Sequence, residues 1–174
     1  RLVGSEMCIR DRSDEVEPDY HPRYRNTEKT YEYTILNTKI NLPIYSRYSY
    51  HVYHPLDFEA MKEAAELLVG EHDFSAFCSA GSQVKSKVRT IYEVSLDKQK
   101  VMGCNGGDLI RIRVRGNGFL YNMVRIIAGT LVEVGEGRRS LADVKQALST
   151  GERKKAGPTA PPEGLVLVEI REVP

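Results

Sequence analysis

The sequence has no long apolar run, and no stretch reaches the roughly 20 residues that a membrane-spanning helix needs. It also has no charged and then apolar N-terminal stretch of the kind that marks a secretory signal. These two absences favour a cytoplasmic protein with no membrane partner. Cysteine is scarce: Cys8, Cys78 and Cys104 are an odd number at wide spacing, so we expect free thiols rather than a disulfide framework.

An excess of charge of one sign is missing as well. The 25 Lys and Arg residues against 24 Asp and Glu residues leave a net charge of +1, so no overall field indicates nucleic acid. An RNA partner would therefore have to be held by local clusters. The candidate clusters are Arg23, Arg25 and Lys29; Lys85, Lys87 and Arg89; and Arg111, Arg113 and Arg115. The last three alternate along one strand face, where they either track phosphates or pair with acidic residues.

Composition divides the chain into three segments. Residues 1–12, RLVGSEMCIRDR, have no period and no turn signal, and they read as adapter-derived sequence or as a disordered tail. Residues 13–36 begin as an acidic, proline-broken linker and end in the first predicted strand. Residues 37–174 are predicted to form an α+β domain.

Periodicity predicts seven elements. Strands are expected at 30–36, 87–96, 109–115 and 163–173, and helices at 55–70, 116–135 and 140–151. The first helix is expected to begin with Asp57 as its cap and to end at Gly70, and the last to begin with a capping box of Ser140 and Asp143. The order β, α, β, β, α, α, β predicts an antiparallel sheet with helices packed on one face.

The helix at 116–135, GNGFLYNMVRIIAGTLVEVG, carries Arg125 in the middle of its most apolar part. A helical period places Arg125 on a polar or small stripe with Tyr121, Asn122, Ala128 and Gly129. This stripe leaves room for another part of the chain to approach. A buried guanidinium is normally paired with a carboxylate or phosphate. The alternative is an arginine whose side chain extends to the helix edge and covers apolar surface.

Five segments, in order, resemble the tRNA pseudouridine synthase A family. They are YHPRYRNTEKTYEYTILN (20–37), GEHDFSAFCSAG (70–81), VRTIY (88–92), GNGFLYNMVRIIAGTLVEVGEGR (116–138) and AGPTAPPEGLVLVEI (156–170). The resemblance implies an α+β homodimer that isomerises uridine in the anticodon stem-loop of tRNA and uses no cofactor. No metal is expected either, because the spacing of His51, His54, His72 and Cys78 is not that of a zinc site.

The resemblance also implies roles for three residues. Tyr31 would stack on the target base, Arg125 would pair with the catalytic aspartate, and Leu165 would pack against the base. Tyr31 and Tyr33 project from the same face of their strand, and the alternative is a pair of core tyrosines. Without the resemblance, Leu165 is an ordinary strand leucine. Because Arg23, Arg25 and Lys29 adjoin Tyr31, we expect this cluster to contact RNA.

The chain departs from the family at the nucleophile. The catalytic aspartate belongs to a motif of the form GRTDAGVHA, and these 174 residues contain no such motif. Asp11 lacks the Ala-Gly-Val-His continuation. The resemblance therefore implies the C-terminal part of the enzyme, inactive alone, in which residues 13–36 are a linker and a remnant of the N-terminal catalytic half. The alternative is a non-catalytic RNA-binding module.

Overall fold

The structure is a computed structural model that describes residues 15–16, 18, 27–81, 84–101 and 107–173. Across these residues the strands are β1 (Thr27–Asn37), β2 (Tyr50–Val52), β3 (Gly70–Asp73), β4 (Val88–Lys100), β5 (Asp108–Gly116) and β6 (Leu165–Glu172). The α-helices are α1 (Phe58–Glu66), α2 (Met123–Gly135) and α3 (Leu141–Thr150). None of the helices in this part of the chain is long and apolar enough to cross a membrane.

The six strands form one sheet in which β1 has a neighbour on each edge. The order is β2-β1-β5-β4-β3, and β6 also pairs with β1. One edge of β1 is antiparallel to β5, and the other is antiparallel to β6 up to Tyr33 and then parallel to β2 from Ile35. The predicted α+β fold is confirmed, with the correction that the sheet is mixed because of the β1–β2 pair. The predicted segment boundary at residue 37 falls at the end of β1, and the three-segment division stays a prediction.

The main elements match the sequence predictions, although α2 begins at Met123 and not at 116, where β5 ends. Side-chain caps explain where α1 and α3 begin. Asp57 caps α1 through its Oδ1, which accepts from the backbone N–H of Ala60 at 3.1 Å. Ser140 and Asp143 form the capping box of α3 in both directions. The predicted end of α1 at Gly70 was wrong: the helix ends at Glu66, and Gly70, with φ +113°, begins β3.

One face of the sheet forms the main core, and the other is exposed except where Leu42 and Tyr45 cover a small buried cluster of Leu36, Val101 and Leu109. Alternate residues of β1 and β5, such as Tyr33, Ile35 and Ile112, are fully buried beneath the helices. Helix α1 contacts β4 and α2 contacts β1 on this inner face. Helix α2 is almost entirely internal, since Arg125 and Glu133 are its only residues that are not buried.

The outer face of the sheet carries a lattice of ion pairs between strands. Arg113 lies 2.9 Å from Glu32, and Arg111 lies 3.8 Å from the same carboxylate. Arg115 lies 2.8 Å from Glu28, and further contacts join Arg111 to Asp97 and Arg115 to Glu93. Of the two interpretations of these alternating arginines, the paired one is what the structure contains.

Candidate active site

A pocket of about 140 Å³ lies between the start of α2 and the strands β1 and β6. Its lining comes from three places in the sequence: Tyr31 of β1; Phe119, Leu120, Asn122, Met123, Val124 and Arg125 around the start of α2; and Leu165 of β6. Tyr31, Arg125 and Leu165, which the sequence singled out from separate segments, therefore line one cavity.

Tyr31 is held in place by its strand and by a second ring. Its backbone pairs with Val114 of β5 on one side and Leu167 of β6 on the other. The ring of Phe119 packs edge-on against it, with centroids 5.2 Å apart and an interplanar angle of 84°. Because Tyr31 is only partly buried, part of its side chain stays open to the pocket.

Tyr33 faces the same side of β1 but belongs to the core. It is fully buried, and its Oη donates to the carbonyl oxygen of Pro161 at 2.6 Å. Burial raises its pKa well above the ordinary tyrosine value, and the hydroxyl of Tyr50 adds to the rise. The nearby charge of Arg125 acts in the opposite direction. The two tyrosines thus divide between the predicted alternatives, with Tyr33 in the core and Tyr31 in the pocket.

Arg125 is oriented by neutral acceptors. Its Nε donates to the carbonyl oxygen of Ala160 at 2.7 Å, and its Nη1 donates to Oδ1 of Asn122 at 3.0 Å. No carboxylate among the described residues lies within 4.0 Å of the guanidinium. The guanidinium is therefore held in one orientation, and no carboxylate in that part of the chain neutralises its charge. These hydrogen bonds distinguish Arg125 from an arginine that only covers apolar surface.

Asn122, which accepts the hydrogen bond from Nη1 of Arg125, has an unusual backbone conformation. At φ 60° it is the only non-glycine residue with positive φ in the described part of the chain. This left-handed conformation costs an L-residue about 1–2 kcal/mol, least for asparagine. The Nδ2 of Asn122 donates to Oγ of Ser79 at 3.1 Å, and the N–H of Ser79 donates to the carbonyl of Tyr121 at 3.1 Å. Asn122 thus connects Arg125 to the loop that follows the Ser75–Phe77 turn.

The room predicted beside Arg125 is filled by backbone. A Cβ at Gly129 would overlap the carbonyl oxygen of Pro158, so only glycine admits this contact. At the next position of α2, Oγ1 of Thr130 accepts from the N–H of Gly157 at 2.9 Å. Further along the same segment, 157–160, the N–H of Ala160 donates to the carbonyl of Arg125 at 3.1 Å. These contacts place the carbonyl that binds the Arg125 side chain.

Leu165 reaches the pocket because the chain before it passes directly over the sheet. A Cβ at Gly164 would lie 2.6 Å from the carbonyl oxygen of Thr34 and 2.9 Å from the ring of Tyr33. Leu165 is the first residue of β6 and pairs with Tyr33. It is partly buried and forms an apolar wall of the cavity.

The remaining predicted residues fall elsewhere. Lys29 lies in β1, two residues before Tyr31, whereas Arg23, Arg25 and the segment 1–12 lie outside the described residues. Sequence reasoning missed Phe119 and the backbone of Ala160 as parts of the site. It placed Asn122 on the stripe of Arg125 without identifying it as a hydrogen-bond partner, although helical spacing was the available signal.

Comparisons with a protein-family model and with curated proteins match this chain to the same kind of enzyme. The family model described as tRNA pseudouridine synthase matches residues 64–171. The tRNA pseudouridine synthase A of Acetivibrio thermocellus is 44% identical over 170 residues, which cover 98% of this chain and 66% of that protein. The enzyme of the same name from Brevibacillus brevis is 48% identical over 157 residues, which cover 90% of this chain and 62% of that protein. The chain thus spans less than two thirds of the length of these curated relatives.

Proposed function

Because the chain belongs to the tRNA pseudouridine synthase family, we propose that it is part of an enzyme that isomerises uridine to pseudouridine in the anticodon stem-loop of tRNA. The observation that carries this proposal is the convergence of Tyr31, Arg125 and Leu165 on one pocket. These side chains come from three distant segments, and they supply an aromatic surface, a cation and an apolar wall to the same small space.

The size of the pocket suits a single planar ring. Apolar cavities of about 150 Å³ bind benzene in other proteins, and this pocket measures about 140 Å³. An enzyme that acts on a base must take it out of the stack and hold it between aromatic or apolar side chains. In our proposal the uracil ring lies against Tyr31, with Leu165 on the wall of the cavity.

Arg125 is proposed to hold the catalytic aspartate ionised and oriented. An opposite charge within about 4–6 Å lowers the pKa of a carboxyl group, and an ionised carboxylate is the form that acts as a nucleophile. The aspartate would attack the target uridine, after which the glycosidic bond breaks and the base is rotated and rejoined through carbon. Since these 174 residues contain no GRTDAGVHA-like motif, the aspartate is proposed to come from sequence outside them. The chain alone would then be inactive.

The proposal includes a cytoplasmic homodimer that uses neither a cofactor nor a metal. Residues 13–36 would belong partly to the N-terminal catalytic half, with residues 37–174 as the C-terminal domain. The missing aspartate motif favours one second candidate, a non-catalytic RNA-binding module. The two candidates differ in whether an in-frame GRTDAG-like motif precedes Tyr20 in the gene.

The test is pseudouridine formation on a tRNA transcript by the full-length protein encoded by that gene. We expect turnover by the wild type and a fall of at least about 100-fold in Arg125→Ala, the size seen when a preorganised electrostatic group is removed. Tyr31→Ala should also cut turnover strongly, while tRNA binding largely survives in both variants. Arg113→Ala, on the outer face of the sheet, is the matched control and should retain turnover. Near-normal turnover in Arg125→Ala or Tyr31→Ala would remove that residue from the proposed site.

A further inference from the structure

The cations of the sheet differ in whether their charge is neutralised. The outer arginines of β5 are all paired with carboxylates, as at Arg113 and Glu32. By contrast, Lys85 and Lys87, which precede β4, and Arg89, its second residue, have no carboxylate of the described residues within 4.0 Å. Arg89 Nη1 donates instead to the main-chain carbonyls of Ser86 and Val88, at 3.0 and 2.6 Å. The described part of the chain therefore does not neutralise the charge of Arg89.

Arg89 lies next to the turn that leads into the pocket. Asn117 fixes this turn to β4: its N–H donates to the carbonyl of Thr90 at 3.0 Å, and its Oδ1 accepts from the N–H of Thr90 at 3.0 Å. A Cβ at Gly118 would lie 3.7 Å from Nε of Arg89, so the side chain of Arg89 passes directly beside the turn. The next residue, Phe119, packs on the ring of Tyr31.

Lys29 lies at the same end of the sheet. It pairs with Gly116 of β5, which in turn pairs with Ile91 of β4, so the three residues form one row across the strands. Strand alternation places Lys29 on the face of Tyr31 and Arg89 on the face of the buried Ile91, which is the same inner face. Two cations thus flank the 116–118 turn on the inner face, which is also the face of Tyr31.

We infer that Lys29 and Arg89 bind backbone phosphates of the RNA strand on either side of the nucleotide whose base enters the pocket, with Lys87 extending this surface. A guanidinium presents paired N–H donors that match phosphate oxygens. The ion-paired outer face, in contrast, has its cations already occupied. This inference rests on the proposed function and deepens it, because it gives the end of the sheet at which the RNA strand lies.

The experiment is the salt dependence of tRNA binding by the full-length protein, measured by fluorescence anisotropy. Each phosphate contact contributes about 0.7–0.9 to the slope of log affinity against log salt concentration. Arg89→Gln and Lys29→Gln should each lower the slope by about that amount. Arg113→Gln is the matched control, since it removes an arginine of the same sheet that is already paired, and its slope should equal that of the wild type.

Arg89→Lys keeps the charge and should retain the wild-type slope, which separates loss of charge from loss of packing. If Arg89→Gln proves unfolded by circular dichroism, the Lys29→Gln slope alone decides. Wild-type slopes in folded Arg89→Gln and Lys29→Gln proteins would overturn the inference. A wild-type protein that binds tRNA through these residues but forms no pseudouridine would instead leave the inference standing and refute the proposed function.

Discussion

Replacing Asn122 separates its backbone conformation from its hydrogen bonds. Glycine adopts φ 60° without strain, whereas alanine retains the left-handed cost of about 1–2 kcal/mol that asparagine tolerates best. Both variants lose the bonds to Arg125 and Ser79, which are 3.0 and 3.1 Å long. Those losses cancel in the comparison, so Asn122→Gly should be more stable than Asn122→Ala by about 1 kcal/mol.

A difference of 1 kcal/mol corresponds to a shift of about 2–4 °C in Tm for a protein of 150–250 residues. Thermal unfolding followed by circular dichroism measures it, and urea unfolding gives an independent free energy. Equal stability of the two variants would show that the left-handed conformation of Asn122 is not a source of strain. A more stable alanine variant would contradict the reasoning outright.

The same two variants test the orientation of Arg125. Each removes the Oδ1 acceptor of Nη1, so turnover of the full-length protein should fall by a similar factor in both, about tenfold if the lost orientation is worth about 1.4 kcal/mol. Ser79→Ala, which leaves the Asn122–Arg125 bond in place, is the control and should have a smaller effect. Turnover at the wild-type level in Asn122→Gly would show that Ala160 alone suffices to orient the guanidinium.

Two further perturbations probe the packing around the pocket. Gly129→Ala raises the helix propensity by about 1 kcal/mol, but it places a methyl group on the carbonyl of Pro158. Urea unfolding should therefore show a net loss of about 1–3 kcal/mol in the free energy of unfolding. A variant more stable than the wild type would contradict this. Burial raises the pKa of Tyr33, so the unfolded chain loses the Tyr33 proton at a lower pH than the folded protein does. Ionisation of Tyr33 therefore leaves the stability of the fold unchanged below the unfolded pKa of about 10 and lowers it as the pH rises above that value. Tyr33→Phe should therefore lose less stability than the wild type above about pH 10, and identical pH dependence in the two proteins would refute the assignment.

The elements that the sequence predicted well are those with a strong internal pattern. Helix α2 combines a continuous apolar face with the small positions at Ala128 and Gly129, and its pattern indicated both the burial and the close approach beside Arg125. Strands β1, β4 and β5 are long and rich in β-branched or aromatic residues. In each of these cases local preference and tertiary environment agree.

The elements that were missed depend on partners distant in sequence. Strands β2 and β3 have only three and four residues, too few for a period, and they form because β1 and β4 offer hydrogen bonds. Likewise, the choice between free and paired outer arginines depended on register, which places Arg113 opposite Glu32. The left-handed Asn122 departs from the extended conformation that is typical of an N-cap, so helix-start rules do not reveal it.

The contact between Arg125 and residue 160 runs entirely through main-chain atoms of the latter: Nε of the arginine binds the carbonyl, and the N–H of Ala160 binds the carbonyl of Arg125. A main-chain partner imposes no amino-acid type of its own, only a side chain that fits a nearly fully buried position. Substitutions of similar size at residue 160 would therefore keep the arginine oriented. The side chain at residue 160 can therefore change in evolution while its peptide group keeps both hydrogen bonds to Arg125.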